Sequence, residues 1–161
     1  MSNLLNVLFG LLTVFILSGC AAGLSVDRIS DTRLDPKEKE LVLLNNSRFD
    51  QQIKKELVKA GFRLKDMPTV KVLQKKVDEN TVEQFNLAEA KYGLRQVPGM
   101  IIDRCIAGKA LQFDEYTFEV VDLENNQTVM FVNKGGWTGP CFPSSGTLFQ
   151  DLSQELANNW H

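Results

Sequence analysis

The sequence predicts an α+β domain in which two longer helices and one short helix pack on a mainly antiparallel sheet. Apolar and polar residues alternate over residues 112–123 and 128–133, with turn-forming residues at 122–126, which is typical of a β-hairpin. Apolar residues recur at helical spacing over residues 48–60 and 147–160. The predicted order is strand, helix, strand, short helix, three strands and a final helix.

The first half of the domain is predicted to contain two strands and one helix. Residues 24–26 alternate in polarity, and residues 40–44 form a short apolar run that predicts a buried strand. The helix over 48–60 ends at Gly61, a residue suited to the left-handed stop of a helix. A second strand then begins at residues 62–64.

The middle of the chain is less regular. Residues 68–85 fit a strand and a helix equally well. Residues 86–89 have the spacing of a capping box, which predicts a short helix through Tyr92 that ends at Gly93. Residues 94–106 predict a strand that is bent by Pro98-Gly99. Its apolar side chains are expected to be buried: Val97, Met100, Ile101 and Ile102.

Residues 135–146 are predicted to form a loop because they are rich in glycine and proline. Trp137 and Phe142 are its large apolar side chains. Two roles remain open at this point. Both side chains could cap the core, or they could form a partner-binding loop, since rigid aromatic groups often anchor recognition surfaces.

The amino terminus carries the most specific motif. An uncharged apolar run over residues 4–17 is too short to cross a bilayer, which takes about 20 residues. It ends in Leu17-Ser18-Gly19-Cys20, which resembles the lipobox of bacterial lipoprotein signal peptides. Met1-Ser2-Asn3 lacks the Lys or Arg usual before such a run. An uncleaved anchor and an ordinary signal peptide are the alternatives.

The resemblance implies that residues 1–19 are removed and that Cys20 carries a diacylglyceryl thioether, usually with an acylated amine. No Asp follows Cys20, which favours the outer membrane. Residues 20–24 would form a tether of less than about 20 Å, at about 3.3 Å per residue. Residues 25–161 would then form a single periplasmic domain close to the bilayer.

The lipidation of Cys20 would leave Cys105 and Cys141 as a pair in an oxidising compartment. We expect a disulfide bond between them, closing a loop of about 37 residues and stabilising the fold by about 4 kcal/mol. A redox or metal-binding pair is the alternative. The wide spacing, without a Cys-x-x-Cys motif or a nearby histidine, argues against it.

The formal net charge of −2 argues against a nucleic-acid-binding protein. The charge is unevenly distributed, because residues 48–76 contain nine basic and three acidic residues whereas residues 77–126 contain ten acidic and four basic ones. These segments could be solvated faces of separate elements. They could also make the domain dipolar, with its basic face against anionic lipid or an acidic partner.

The sequence offers little for catalysis. The single histidine, His161, is the last residue, where a frayed end would not hold an imidazole against a nucleophile. No Gly-x-Ser-x-Gly, P-loop or dinucleotide-binding motif is present. Carboxylates at residues 114–115 and 122–124 are expected to be solvated at strand ends. We therefore expect no enzymatic activity, cofactor or metal, with a carboxylate-dependent hydrolase as the least favoured alternative.

Residues 41–160 are loosely similar to small periplasmic lipoproteins. The similarity is to the amino-terminal domain of the translocation protein TolB and to the curli secretion lipoproteins, through the segment Ala90-Lys91-Tyr92-Gly93-Leu94 and the elements after it. It transfers no functional residue and no channel activity. The expected function is a lipid-anchored binding or assembly factor for another envelope component, with an envelope protein as the expected partner, and the alternative is a small-ligand or inhibitor-like binding module.

Overall fold

The computed structural model describes residues 23–29, 33–65, 74–76, 82–84, 90–106 and 108–161, with only the backbone at 74–76 and 82–84. The predicted signal peptide, Cys20, the first residues of the tether and the capping-box residues 86–89 lie outside the described residues. The described part of the chain contains nine strands and two helices.

The strands are β1 Ser25–Arg28, β2 Glu40–Leu43, β3 Arg63–Lys65, β4 Gln74–Lys76, β5 Val82–Gln84, β6 Tyr92–Pro98, β7 Ile101–Arg104, β8 Leu111–Asp122 and β9 Gln127–Trp137. The helices are α1 Asp50–Lys59 and α2 Leu148–Asn158. The predicted β8–β9 hairpin and both longer helices are therefore confirmed, with ends shifted by a few residues.

Seven strands form the main sheet in the order β1-β9-β8-β6-β2-β3, with β7 also paired to β8 beyond the end of β6. Strands β4 and β5 form a separate antiparallel pair. The main sheet is mixed, because β2 runs parallel to both β3 and β6. The expectation of a mainly antiparallel sheet thus needs correction. Helix α1 connects β2 to β3, and such a crossover brings the second strand back parallel to the first.

The helices and the main sheet share one core. Ile53 and Leu57 of α1 and Leu152 and Leu156 of α2 are fully buried at helical spacing. They pack with side chains of the sheet, among them Leu41, Leu94, Tyr116, Phe118, Val120, Met130 and Val132. Gly61 ends α1 in the left-handed region at φ +93°, as expected.

The predicted short helix through Tyr92 is wrong at its carboxyl end. Tyr92 begins β6 and pairs with Leu41 and Asp122. Gly93 is a strand residue whose missing side chain makes room for a neighbour, because a Cβ there would lie within 2.7 Å of three side-chain carbons of Leu44. The described residues contain two helices, not three.

The predicted strand over 94–106 divides into two strands, β6 and β7, as the chain turns at Pro98-Gly99. The expectation that its apolar side chains are buried is wrong. Every residue of β7 is exposed, because the strand pairs with the first part of β8 at one end of the sheet. The exposed set includes those expected to be buried, namely Val97, Met100, Ile101 and Ile102.

The predicted loop over 135–146 begins later than expected. Gly135, Gly136 and Trp137 belong to β9, where Gly136 pairs with Phe113 and Trp137 with Gln112. Glycine is unfavourable in strands, but a Cβ at Gly135 would overlap the backbone of Asp114, so the irregular pairing there needs glycine.

Candidate functional site

The hairpin of β7 and β8 forms one end of the main sheet. Arg104 pairs with Leu111, and the N–H of Cys105 donates to the carbonyl oxygen of Ala110 at 3.0 Å. Strand β7 has no second neighbour among the described strands, so its outer edge is unpaired in that part of the chain. The hairpin thus places Cys105 at the end of an edge strand.

A disulfide bond joins this hairpin to the segment after β9. Cys105 and Cys141 are bonded with their Cα atoms 5.7 Å apart, which confirms the predicted pairing. Thr138 fixes the same segment to β8, because its N–H donates to the oxygen of Leu111 at 2.9 Å and its Oγ1 accepts from the N–H of Leu111 at 3.0 Å. The Gln52 side-chain amide donates to the oxygen of Thr138 and adds a contact from α1.

Six large apolar side chains are exposed on the two segments that this disulfide joins. Five of them lie between Val97 and Ile106, and the sixth follows Cys141 directly. We call this set the β7 patch: Val97, Met100, Ile101, Ile102, Ile106 and Phe142. The disulfide brings its two sequence segments together, since Ile106 and Phe142 each follow one of the bonded cysteines.

The structure places the two predicted loop aromatics differently. Phe142 is 99% exposed, whereas Trp137 is half-buried. Neither side chain belongs to the core cluster of the described residues. Trp137 pairs with Gln112, the neighbour of the core residue Phe113, so it lies on the sheet face opposite the helices. Neither aromatic caps the core, although both lie near the disulfide-linked end of the sheet.

An open cleft of about 900 Å³ lies beside the disulfide. Its walls come from the start of α1, the β7–β8 hairpin and the segment after β9. Three basic side chains line it: Arg48, Arg104 and Lys109. Phe49 and Leu111 contribute apolar surface. The cleft is therefore electropositive with an apolar wall.

A buried polar network fixes the segment that leads into α1. Gln96 of β6 is 2% exposed, and its Oε1 accepts from the Ser47 hydroxyl at 2.6 Å and the Tyr116 hydroxyl at 3.0 Å. Its Nε2 donates to Asp50 Oδ1 at 2.9 Å. Since Arg48 lies between Ser47 and Asp50, this network sets the position of one cleft wall.

Two groups of the network titrate away from their ordinary values. Burial raises the pKa of the Asp50 carboxyl, but hydrogen bonds from Gln96 and Ser47 outweigh it, so the pKa lies below its ordinary value. Burial raises the pKa of the Tyr116 hydroxyl. Asp50 is thus held as a carboxylate and Tyr116 as a neutral donor near pH 7.

Two of the carboxylates considered for catalysis, Asp114 and Asp122, accept hydrogen bonds from backbone N–H groups. Asp114 Oδ1 accepts from the N–H groups of Met100 and Glu115 at 2.7 and 2.6 Å, and the buried Asp122 accepts from the N–H of Glu124 at 2.9 Å. Within the described ranges, no three His, Cys, Asp or Glu residues gather in a metal-binding arrangement. No helix in those ranges is long and apolar enough to span a membrane.

No protein-family model matches the sequence, and no curated protein sequence matches it. Two solved structures are similar in part, both of the PelC dodecamer from Paraburkholderia phytofirmans, one of them a point-substituted form in space group C2 and the other in space group P6. They are 15% and 16% identical, each with a TM-score of 0.45 over 83% of this chain and 94% of the other. Neither likeness is close enough to assign a function.

The sequence did not reveal the basic cleft, because Arg48 is far from Arg104 and Lys109 along the chain. One signal was available: Arg104 adjoins Cys105, and Lys109 follows four residues later. The expected disulfide would have placed this basic pair against the loop around Cys141. The place of Arg48 in the cleft could not be predicted in this way, because it depends on how α1 packs against the sheet.

Proposed function

We propose that this protein is a lipid-anchored lipoprotein of the outer membrane that acts as a binding or assembly factor for another envelope protein. The lipobox over Leu17-Ser18-Gly19-Cys20 supports the anchor, with acylated Cys20 as the attachment point and residues 25–161 in the periplasm. The disulfide between Cys105 and Cys141 is compatible with an oxidising compartment.

The observation that carries the proposal is the β7 patch. Exposed apolar side chains that are concentrated on one part of a protein surface often mark a partner-binding site. Single exposed apolar residues are ordinary, but this patch joins six of them through a hairpin and a disulfide. Its rigid support lowers the entropy lost when a partner binds.

A protein partner suits this surface better than a lipid does. Strand β7 leaves an edge unpaired among the described strands, and an extended segment of a partner could add there as a further strand. Main-chain hydrogen bonds would give affinity, and the apolar side chains of the β7 patch would give specificity. Phe142 would serve as an aromatic anchor beside this edge.

The proposal is tested by capture of partners from detergent-solubilised envelope with the lipidated protein. Ile102→Asp should abolish recovery of a reproducible partner, because it replaces an apolar contact worth about 1.5 to 3 kcal/mol with a charge. The matched control is Ile29→Asp. Ile29 is 61% exposed and Ile102 56%, but Ile29 lies after β1, outside the patch. Equal recovery with both variants would contradict the proposal.

The anchor is tested separately by mass spectrometry of protein extracted from membranes. We expect a chain that begins at Cys20 and carries acyl groups. An intact Met1 or an unmodified Cys20 thiol would contradict the lipoprotein assignment.

A small-ligand binding module is the second candidate function, and the open cleft beside the disulfide favours it. A volume of about 900 Å³ lies within the range of ligand sites. A small molecule that copurifies with the protein in the absence of any protein partner would support this alternative.

A further inference from the structure

Three positive charges line the cleft beside the disulfide, one from the segment before α1 and two from the β7–β8 hairpin. Arg48 precedes α1, Arg104 ends β7, and Lys109 precedes β8. No carboxylate is among the described residues that line the cleft. The cleft therefore concentrates charge of one sign, although the whole chain carries a net charge of −2.

These three cations have no ion-pair partner within the described part of the chain. Four basic side chains elsewhere in that part are paired, namely Lys59 with Glu56, Arg63 with Glu40, Arg95 with Glu119 and Lys134 with Asp151. The acidic neighbours in sequence are engaged, since Asp50 accepts from Gln96 and Ser47, and Asp103 Oδ1 accepts from the N–H of Arg104 at 2.7 Å. The charged ends of the cleft cations are thus available to a ligand.

The cations are held on ordered supports. The Arg48 guanidinium lies over the Phe49 ring, 4.8 Å from its centroid, which restrains the long side chain. Arg104 adjoins the bonded Cys105. Lys109 adjoins Ala110, which is buried and accepts from the N–H of Cys105. A pre-positioned set of cations loses less entropy when it binds an anion.

From this arrangement we infer that the cleft is a binding site for a phosphate-bearing ligand with at least two negative charges. Guanidinium groups bind phosphate oxygens in a bidentate manner, and a lysine ammonium adds a point charge. Several cations on separate walls suit a ligand whose negative charge is spread over several oxygens, which a single carboxylate does not provide. Phe49 and Leu111 offer an apolar surface for the rest of the ligand.

The phosphate group of the ligand could belong to a free phosphate compound or to a phospholipid headgroup. Two probes distinguish these sources. The detergent-solubilised full-length protein is titrated calorimetrically at pH 8 with inorganic pyrophosphate and, separately, with dihexanoyl phosphatidic acid below its micelle concentration. The phosphate monoester of this lipid carries close to two negative charges at that pH. We expect saturable binding of one or both probes. The affinity should fall as salt is raised, because exposed charges are screened over about 10 Å at 0.1 M ionic strength.

The double variant Arg104→Gln/Lys109→Gln should weaken binding about tenfold or more, since it removes two charge-assisted hydrogen bonds. The matched control, Lys55→Gln, removes an exposed positive charge of α1 outside the cleft and should change the affinity less than about twofold. Thermal unfolding of each variant checks that the fold is kept, and both sites are exposed.

Each outcome is decisive. Pyrophosphate binding alone, lost in the double variant, assigns a free phosphate ligand, whereas lipid binding lost in the same variant assigns a headgroup. Absence of binding of both probes at low salt, or equal affinities of the wild type and the double variant, would overturn the inference. The site uses the cleft and not the β7 patch, so this titration and the partner capture can fail independently.

Discussion

At the scale of single residues, Gln96 shows how a buried polar side chain can be accommodated in this fold. Its oxygen accepts from two hydroxyls and its nitrogen donates to a carboxylate, so no polar atom of its side chain lacks a partner. The sequence alone does not indicate this role, because one glutamine in an apolar run carries no local signal. Its role arises from β6 lying beside the segment that leads into α1.

Gln96→Ala should lower the free energy of unfolding by about 2 to 4 kcal/mol, because it creates a cavity and leaves the Tyr116 hydroxyl without its acceptor. Urea unfolding followed by circular dichroism measures the change. Gln154→Ala on the exposed face of α2 is the matched control and should shift stability by less than about 0.5 kcal/mol. Similar losses for the two variants would contradict the role given to Gln96.

The Asp50 carboxyl predicts a pH dependence of stability. Its folded-state pKa lies below the ordinary value of 3.8, so its contribution is present above that value and is lost as the pH falls through the folded pKa. Asp50→Asn should therefore be less stable than the wild type at pH 7, and the difference should shrink below about pH 4. Urea unfolding of both proteins at pH 7, 5 and 3 tests this, and a pH-independent difference would disprove it.

At the scale of elements, the position of β7 explains why the apolar side chains of residues 94–106 were wrongly expected to be buried. An apolar run of this kind predicts a buried strand, and the periodicity of a sequence does not reveal where the covering helices end. Strand β7 pairs with the first part of β8 at the end of the sheet, and its side chains are exposed. The residues that were expected to form core instead form most of the β7 patch.

The disulfide also acts at the scale of elements, because it links the β7–β8 hairpin to the segment that carries Phe142. The double variant Cys105→Ala/Cys141→Ala should lower the free energy of unfolding by about 4 kcal/mol. Without the crosslink between residues 36 positions apart, the unfolded chain regains conformational entropy. Urea unfolding of the variant and of the oxidised wild type measures the difference. A loss below about 1 kcal/mol would show that the bond does not stabilise the fold.

At the scale of the whole molecule, local patterns predicted the α+β class, the β8–β9 hairpin and both helices. These features depend on contacts close in sequence. The parallel pairing of β2 with β6 was not predicted, because it joins segments about 50 residues apart. The cleft was not predicted for the same reason, since Arg48 is more than 50 residues from Arg104 and Lys109 along the chain. The disulfide was predicted across a long separation only because the expected lipidation of Cys20 left Cys105 and Cys141 as a pair.

The central claim is that the β7 patch is the docking surface for an envelope protein, and photo-crosslinking in intact cells tests it most directly. A photoreactive benzoyl-phenylalanine replaces Phe142, which is almost fully exposed, and in a second strain it replaces the exposed Ile29. We predict a discrete protein adduct from position 142 that is absent from position 29. No adduct at position 142, or the same adducts from both positions, would contradict the claim.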